Sequence, residues 1–182
     1  MADLEPAAPE VVLLTVGHST RPIEEFLALL ETHGIRKIVD VRSVPHSRRN
    51  PQFDIDVLPG SLIARGIDYI HLPSLGGLRR ALADSPNAGW RNAAFRGFAD
   101  YMQTPDFEEA LDELIATARR QRTSVMCAEA VPWRCHRSLI ADALTARGIA
   151  VKHITGPSSV GAHRLTPFAR VEGMRVTYPA SS

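Results

Sequence analysis

The sequence predicts an α/β protein with three layers, α/β/α, around a mostly parallel central sheet of about five strands, which is a Rossmann-like arrangement. Short β-rich apolar runs alternate along the chain with segments whose apolar residues recur at helical spacing. This alternation is typical of parallel sheets covered by helices on both faces, because each return to a parallel strand needs a crossover of helix length. With 182 residues the chain has the size of one ordinary domain. We predict a single domain over 1–182, with a core at about 11–156 and peripheral or flexible tails at 1–10 and 157–182.

Five apolar segments are predicted strands. The first, 11–16, is rich in valine and leucine and ends at Gly17, and the second, 37–41, runs directly into polar residues. Apolar runs of this length, bounded by turn residues, are typical of buried strands. The other predicted strands are 68–72, 123–127 and 149–154.

Helices are predicted between these strands. Residues 107–120 carry the clearest amphipathic pattern, and Pro105 lies close to the start of that segment, where proline is tolerated. Residues 22–33 also have helical spacing and follow a cap residue, Ser19 or Thr20. The other predicted helices are 55–64 and 134–147, whereas 73–96 is predicted to be loop with weak helix and the chain after Pro157 has no clear periodicity.

The composition excludes several classes of protein. Hydrophobic residues make up 45% and charged residues 23% of the chain, both close to the globular average, so neither a disordered nor a membrane protein is indicated. The longest apolar runs are too short to span a bilayer. A formal net charge of +1 gives no overall attraction to nucleic acid or anionic lipid, so any such binding requires a local cluster.

The cysteines and the N-terminus indicate a cytoplasmic protein. The two cysteines, Cys127 and Cys135, lie in one short segment, whereas secreted disulfide scaffolds carry more cysteines spread along the chain. Residues 1–10 are acidic and contain proline, unlike a signal peptide. We therefore expect a reducing, cytoplasmic environment and no membrane partner.

The richest candidate segment spans 127–137. A predicted strand there ends in a thiol and a carboxylate, Cys127 and Glu129, and a helix opens at Cys135 after a proline turn. A helix N-terminus suits an anion and lowers the pKa of a thiol. The arginines of the segment offer bidentate contacts to phosphate or carboxylate. The candidate site residues of this segment are Cys127, Glu129, Arg134, Cys135, His136 and Arg137.

Polar residues also follow two other predicted strands. The segment 40–53 begins at Asp40 and contains three arginines, which form a local basic patch suited to phosphate or a nucleic-acid backbone. His18, in the turn after the first strand, can act as an acid or a base near neutral pH. Because ligands of parallel sheets bind beyond the carboxyl ends of the strands, we expect these ends to converge. A Gly-Gly loop and one tyrosine elsewhere in the chain are further candidates. Together these segments add the candidate site residues Asp40, Arg42, Ser43, Arg48, His18, Ser19, Gly76, Gly77 and Tyr101.

Structural interpretations compete with the functional ones. Cys127 at a strand end is typical of a small core residue. Asp40 and Arg42 can form an ion pair in an ordinary loop. Zinc is an option because the 127–137 segment contains suitable ligand types, although its spacing lacks paired C-x-x-C motifs. A tyrosine-phosphatase loop is excluded, since the positions six after the two cysteines hold Trp133 and Ala141 instead of arginine.

The candidate segments together resemble a known family. In order, the chain carries Gly17-His18-Ser19, Asp40-Val41-Arg42-Ser43, Leu75-Gly76-Gly77, Phe98 to Met102, and Cys127-Ala128-Glu129 leading to Cys135-His136-Arg137. This combination resembles the domain of unknown function 488 family of bacterial and archaeal proteins, over roughly 13–154. The resemblance implies a compact α/β fold and a cytoplasmic setting, and it assigns neither a substrate nor a catalytic residue.

Our leading hypothesis is an enzyme, a hydrolase or transferase, that acts on a phosphate-bearing substrate, either a nucleotide or a nucleic acid. The catalytic candidates are Glu129, His18, Asp40 and Cys127, and the main anion ligands are Arg42, Arg48 and Arg137. One alternative is a non-catalytic module that binds a nucleotide or nucleic acid through the same arginines. Another is a thiol- or metal-dependent redox or sulfur-transfer protein. The sequence requires no cofactor, assigns no metal ligand and predicts no oligomeric state.

Overall fold

The computed structural model describes residues 10–182, so residues 1–9 of the predicted N-terminal tail lie outside the described part. The strands are β1 Val12–Gly17, β2 Lys37–Asp40, β3 Asp68–His71, β4 Thr123–Cys127, β5 Ala150–Gly156, β6 Ser159–Ala162, β7 Arg170–Glu172 and β8 Arg175–Thr177. The α-helices are α1 Ile23–Thr32, α2 Leu58–Ile63, α3 Ala93–Tyr101, α4 Pro105–Arg120 and α5 Arg137–Ala146, and short 3-10 turns occur at Pro51–Phe53, Pro73–Leu75 and Pro132–Arg134.

The central sheet has six strands in the order β3-β2-β4-β1-β5-β6. The first five are mutually parallel, and β6 pairs with β5 in the antiparallel direction. Gly17 lies opposite Cys127 and Asp40 opposite Met126, so β1, β2 and β4 end at nearly the same level. The predicted three-layer, mostly parallel α/β fold is confirmed.

Two apolar layers cover the two faces of the sheet. One is formed by α1 and α2, with buried side chains that include Phe26 and Leu62. The other is formed by α3, α4 and α5, with Phe98, Leu114 and Leu139 among its buried side chains. Burial of such side chains on both faces is the main favourable contribution to the stability of a fold of this kind. No helix in the described part of the chain is long and apolar enough to cross a membrane.

Helix α3 begins inside the segment that was predicted to be loop with weak helix. The side chain of Asn92 accepts hydrogen bonds from the backbone N–H groups of Ala94 and Phe95, at 2.9 and 3.2 Å. This is an N-cap, which satisfies N–H groups that have no partner within the helix. The surrounding glycine and arginine residues obscure the start of the helix in the sequence. Helix α5 begins at Arg137 and not at residue 134, because a separate 3-10 turn precedes it.

The chain after Pro157 contains three of the strands, although its sequence has no clear periodicity. Strand β6 extends the main sheet, and β7 pairs with β8 in a hairpin. Tyr178, which follows the hairpin, is fully buried and donates a hydrogen bond from its hydroxyl to Asp142 at 2.7 Å. These strands have three or four residues each, so they are too short to produce a recognisable alternation in the sequence.

Candidate functional site

The carboxyl ends of β1, β2 and β4 lie side by side and define the candidate site. The backbone N–H of His18 donates to the carbonyl of Cys127 at 2.9 Å, and that of Val41 donates to the carbonyl of Met126 at 3.0 Å. These bonds continue the parallel ladders beyond the last strand residues. The polar segments that follow the three strands are therefore brought together, as expected for the carboxyl edge of a parallel sheet.

A cavity of about 380 Å³ opens at this edge, and we call it the thiol cavity. Its lining combines two thiols, a carboxylate and cationic groups with an apolar rim. The sequence-predicted residues that line it are Arg42, Ser43, Gly77, Cys127, Glu129, Arg134, Cys135 and His136. The rim includes Val44 and Leu78, which are 60% and 73% exposed.

The two cysteines are in contact on the wall of the thiol cavity. Their sulfur atoms lie 2.8 Å apart, and both side chains are almost completely buried. Cys135 lies just before α5, where its sulfur accepts a hydrogen bond from the backbone N–H of Arg137 at 3.5 Å. The Cys127 thiol ends the buried strand β4, and no helix N–H among residues 10–182 donates to its sulfur.

The environments of the two sulfurs separate their pKa values. The pKa of Cys135 is lowered by the hydrogen bond from the Cys127 thiol, by His136 and by the N–H of Arg137. The pKa of Cys127 is raised by that same contact with Cys135 and by burial. Cys135 is therefore the more acidic thiol of the pair, and a thiolate is the reactive form of cysteine.

His136 is oriented toward the Cys135 sulfur. Its Nε2 lies 2.9 Å from the carbonyl of Leu75 and donates to it, so the proton of the neutral ring resides on Nε2. Nδ1 lies 3.5 Å from the Cys135 sulfur and is free to take the thiol proton. Gly77 permits this arrangement, since a Cβ at that position would lie 2.7 Å from His136 Nδ1.

Arg42 is held in a buried ion pair with Asp40. The guanidinium donates from Nε and Nη2 to the two carboxylate oxygens at 2.9 and 2.7 Å, and Nη2 also donates to the carbonyl of Phe53. Tyr69 donates a further hydrogen bond to the carboxylate at 2.6 Å. The ion pair that the sequence offered as a structural interpretation is therefore present, and most of the Arg42 donors are already used.

His18 is buried beside this ion pair in one defined tautomer. Its Nδ1 donates to the carbonyl of Ser19 at 2.8 Å, its Nε2 lies 3.3 Å from Arg42 Nη1, and its ring stacks on Phe53 at 4.1 Å. Burial is the main reason that its pKa is lowered to about 4. At neutral pH the ring is uncharged.

Arg137 is completely buried beneath the loop that follows β4. Its Nη2 donates to the carbonyls of Glu129 and Ala130 at 2.9 and 3.0 Å. Its Nε and Nη1 have no hydrogen-bond partner within the part of the chain that the structure describes. The same loop crosses β1 so closely that a Cβ on Gly17 would overlap the carbonyl oxygen of Glu129. Arg137 therefore shapes the cavity wall from below and does not line it.

A second, polar cavity of about 280 Å³ adjoins the thiol cavity and shares Arg42 and Glu129 with it. Glu129 is exposed, and its side chain accepts a hydrogen bond from the backbone N–H of Val131 at 3.1 Å. The other polar residues of this cavity are His18, Ser19, Thr20, His46, Ser47 and Asn50. Four of these, Thr20, His46, Ser47 and Asn50, were not among the site residues predicted from the sequence, although the last three lie in the 40–53 segment that was predicted to line this edge.

Three predicted residues have other roles or lie elsewhere. Gly76 packs against Ser43 so closely that a Cβ would overlap the serine hydroxyl, which accepts a hydrogen bond from Leu78 N–H. Arg48 is exposed and lines neither cavity. The guanidinium of Arg79 lies over the ring of Tyr101, with its Cζ 3.7 Å from the ring centroid, and both residues line a different cavity. Helix α3 directs Tyr101 toward α4, away from the strand ends.

The residues that made zinc an option do not assemble into a metal centre in the described part of the chain. Among the described residues, the group whose potential ligand atoms all lie within 4.8 Å of one another is His46, Asp54 and Asp56, on the surface. Cys127, Glu129, Cys135 and His136 form no comparable group, because His136 directs Nε2 at a backbone carbonyl and Glu129 faces solvent.

The buried histidine predicts a pH dependence of stability. The pKa of His18 is 6.5 when unperturbed and about 4 in the folded protein, so between these values the unfolded chain binds more protons than the native one. The free energy of unfolding should therefore be highest above pH 6.5 and fall by about 3 kcal/mol as the pH drops to 4. Urea denaturation at graded pH measures this. His18→Gln should flatten the profile, and an unchanged slope in that variant would contradict the assignment.

The comparisons with known proteins give one family match. Residues 22–144 match a protein-family model described as "Domain of unknown function DUF488". The match includes the ends of β2 and β4 and the start of α5. No curated protein matches the chain, and no solved structure matches it.

Proposed function

This chain belongs to the DUF488 family, and from the geometry of its site we propose that it is a thiol-dependent oxidoreductase in which Cys135 and Cys127 alternate between dithiol and disulfide. The observation that carries the proposal is the contact of the two sulfur atoms, 2.8 Å apart, on the wall of an open cavity. Two sulfurs so placed need only a small adjustment to form a bond of about 2.05 Å.

The proposed reaction begins at Cys135, whose sulfur is the more acidic of the pair. Its thiolate attacks one sulfur of a substrate disulfide, and the other substrate sulfur leaves as a thiolate and takes a proton from His136. The Cys127 thiol then loses its proton to His136 and attacks the Cys135 sulfur. The second substrate sulfur leaves as a thiolate and takes that proton from His136, so that one disulfide and two protein thiols become one protein disulfide and two substrate thiols.

The surroundings of the pair support this division of roles. The N–H of Arg137 and the imidazole of His136 stabilise negative charge on Cys135. Cys127 is the more buried thiol, with 3% exposure against 7%, as suits the second, internal attack. Stabilisation of the reduced thiolate makes a dithiol more oxidising, as in other pairs of low pKa.

Two of the arginines expected to bind an anion are paired or buried, which is why the thiol chemistry has the stronger support. Arg42 is paired with Asp40, and Arg137 is fully buried and lines neither the thiol cavity nor the polar cavity. At the start of α5, the N–H of Ser138 donates to the carbonyl of Cys135 at 3.1 Å, and the next N–H donates to His136. Few free donors therefore face the thiol cavity from this helix.

A phosphate-bearing substrate, a nucleotide or a nucleic acid, remains our second candidate. The polar cavity favours it, because Arg42 Nη1 and several hydroxyl groups surround a space that adjoins the thiols. Glu129 lies between the two cavities, where it can serve as a base. An enzyme of this kind should lose turnover and keep substrate affinity in Glu129→Gln, whereas a non-catalytic binding module should lose little affinity.

The thiol proposal predicts that oxidised glutathione converts the native protein to a form that is lighter by two hydrogen atoms and has no free thiol. At pH 7, iodoacetamide should alkylate Cys135 in preference to Cys127, because Cys135 is the more acidic thiol of the pair. Intact-mass spectrometry follows both reactions.

Two single variants separate the roles of the cysteines. Cys127→Ser should keep rapid alkylation and accumulate the mixed disulfide with glutathione, and Cys135→Ser should lose rapid alkylation. If the native protein formed no internal disulfide, or if Cys135→Ser were alkylated as fast as the native protein, the proposal would be wrong.

A further inference from the structure

A third cavity, of about 510 Å³, lies beside the thiol cavity and shares no lining residue with it. We call it the aromatic cavity. The Pro132–Arg134 turn separates the two, since Pro132 and Trp133 line the aromatic cavity and Arg134 lines the thiol cavity. Most of its other lining comes from residues 153–168, beyond the part of the chain that matches the family model.

Three aromatic side chains dominate this cavity. Trp133 is 72% exposed and Phe168 is 37% exposed, which leaves large aromatic surfaces in water. Trp90 packs against Phe168 with a centroid distance of 4.8 Å. The indole N–H of Trp90 is buried and has no acceptor among residues 10–182. Exposed aromatic walls suit a ligand with a planar ring.

The inner wall of the cavity is rigid and contains no free acid or base. His153 and His163 line it, and their ring nitrogens are joined at 2.8 Å. The chain of hydrogen bonds continues from His153 to Thr15 at 2.6 Å and from His163 to Asp142 at 2.7 Å. Because all four ring nitrogens are used within the protein, this wall holds the tail strands in place and offers a preformed surface for a ligand.

The lip of the cavity carries a positive charge. Arg164 is exposed, lines the cavity and forms no ion pair with any residue that the structure describes. A cation next to aromatic walls complements a ligand that has both a planar ring and an anionic group. The cavity volume falls within the range of about 300–1,000 Å³ that is typical of small-molecule sites.

We propose that the aromatic cavity binds a nucleotide, with its base against Trp133 and Phe168 and its phosphate at Arg164. This site is independent of the thiol pair and does not require the proposed oxidoreductase function. Stacking of a base on an exposed aromatic side chain usually accounts for a change in affinity of roughly tenfold or more.

The distribution of tryptophan makes the proposal directly testable. The chain has two tryptophans, Trp90 and Trp133, and both line this cavity. Fluorescence excited at the long-wavelength edge of tryptophan absorption, where tyrosine does not absorb, therefore reports on this cavity alone. We expect AMP to quench the emission of the full-length protein saturably. Adenosine should bind more weakly than AMP, and inorganic phosphate alone should not quench.

Matched variants identify the contacts by isothermal titration calorimetry with AMP. Trp133→Ala should weaken AMP binding roughly tenfold or more. Arg164→Gln should weaken binding of AMP but not of adenosine, whereas Arg170→Gln, an equal change of charge at an exposed position outside the cavity, should have no effect. Cys135→Ser should bind AMP normally.

Three results would overturn the proposal. They are absence of AMP binding at millimolar concentration, unchanged affinity in Trp133→Ala, and a dimer in solution that dissociates in Trp133→Ala. The last would show that a second copy of the chain covers the aromatic cavity. Equal urea midpoints for the variants and the parent protein would establish that each variant is folded.

Discussion

Replacing Asp40 by asparagine should destabilise the protein by about 3–5 kcal/mol, because it leaves Arg42 as a buried cation without its counter-charge. Asp40 is fully buried, and Arg42 is 7% exposed. The carboxylate also accepts hydrogen bonds from the hydroxyl of Tyr69 and from the backbone N–H of Arg42, so a neutral amide would disrupt several hydrogen bonds together.

Urea denaturation of Asp40→Asn measures this loss, and a surface ion pair of the same chain provides the control. Glu24 pairs with Arg65 on the surface, where Glu24 is 74% exposed. Glu24→Gln removes the same charge and should change the free energy of unfolding very little, because solvent screens exposed pairs. A similarly small change in Asp40→Asn would mean that Arg42 finds other partners and that the ion pair does not organise the end of β2.

Replacing Gly17 by alanine should destabilise the protein by at least about 2–3 kcal/mol and slow alkylation of Cys135. The added methyl group would overlap the carbonyl of Glu129 and lie 2.8 Å from the Cα of Ala130. Backbone atoms cannot swing aside as the end of a flexible side chain can. The loop must therefore move, and it carries the two carbonyls to which Arg137 donates.

A second glycine of the chain gives a matched control. A Cβ on Gly60, within α2, would meet nothing within 4 Å, and Gly60→Ala should be neutral or stabilise the helix by about 0.5–1 kcal/mol. Both variants are compared by thermal denaturation and by the rate of reaction with iodoacetamide at pH 7. Native alkylation of Cys135 in a destabilised Gly17→Ala protein would show that the loop does not govern the thiol pair.

The position of the site was predictable because strand ends can be recognised locally. Gly17, Asp40 and Cys127 each end an apolar run, and the alternation of strands and helices implied that these ends share one edge of a sheet. The structure brings the three ends together at that edge. No special tertiary information was needed for this step, since hydrophobic periodicity and the rules of parallel connection were sufficient.

The chemistry of the site was less predictable because it depends on which groups are already paired. The sequence placed arginine above cysteine in importance. In the structure, Arg42 is paired with Asp40 and Arg137 is buried away from the cavity. The 3-10 turn at Pro132–Arg134 returns the chain so that Cys135 contacts Cys127. Neither the pairing of a buried arginine nor the path of a turn follows from the spacing of residues alone.

The sequence by itself determined the fold class, the family and the edge of the sheet at which the polar segments converge, because these depend on local apolar patterns and on short motifs. The tertiary structure alone decided which donors and thiols remain free. It also decided the placement of the tail, where Tyr178 and His163 reach Asp142 across long stretches of chain. The physical reason is that a buried hydrogen bond depends on which groups meet in three dimensions, and the tail strands are too short to carry a periodic signal of their own.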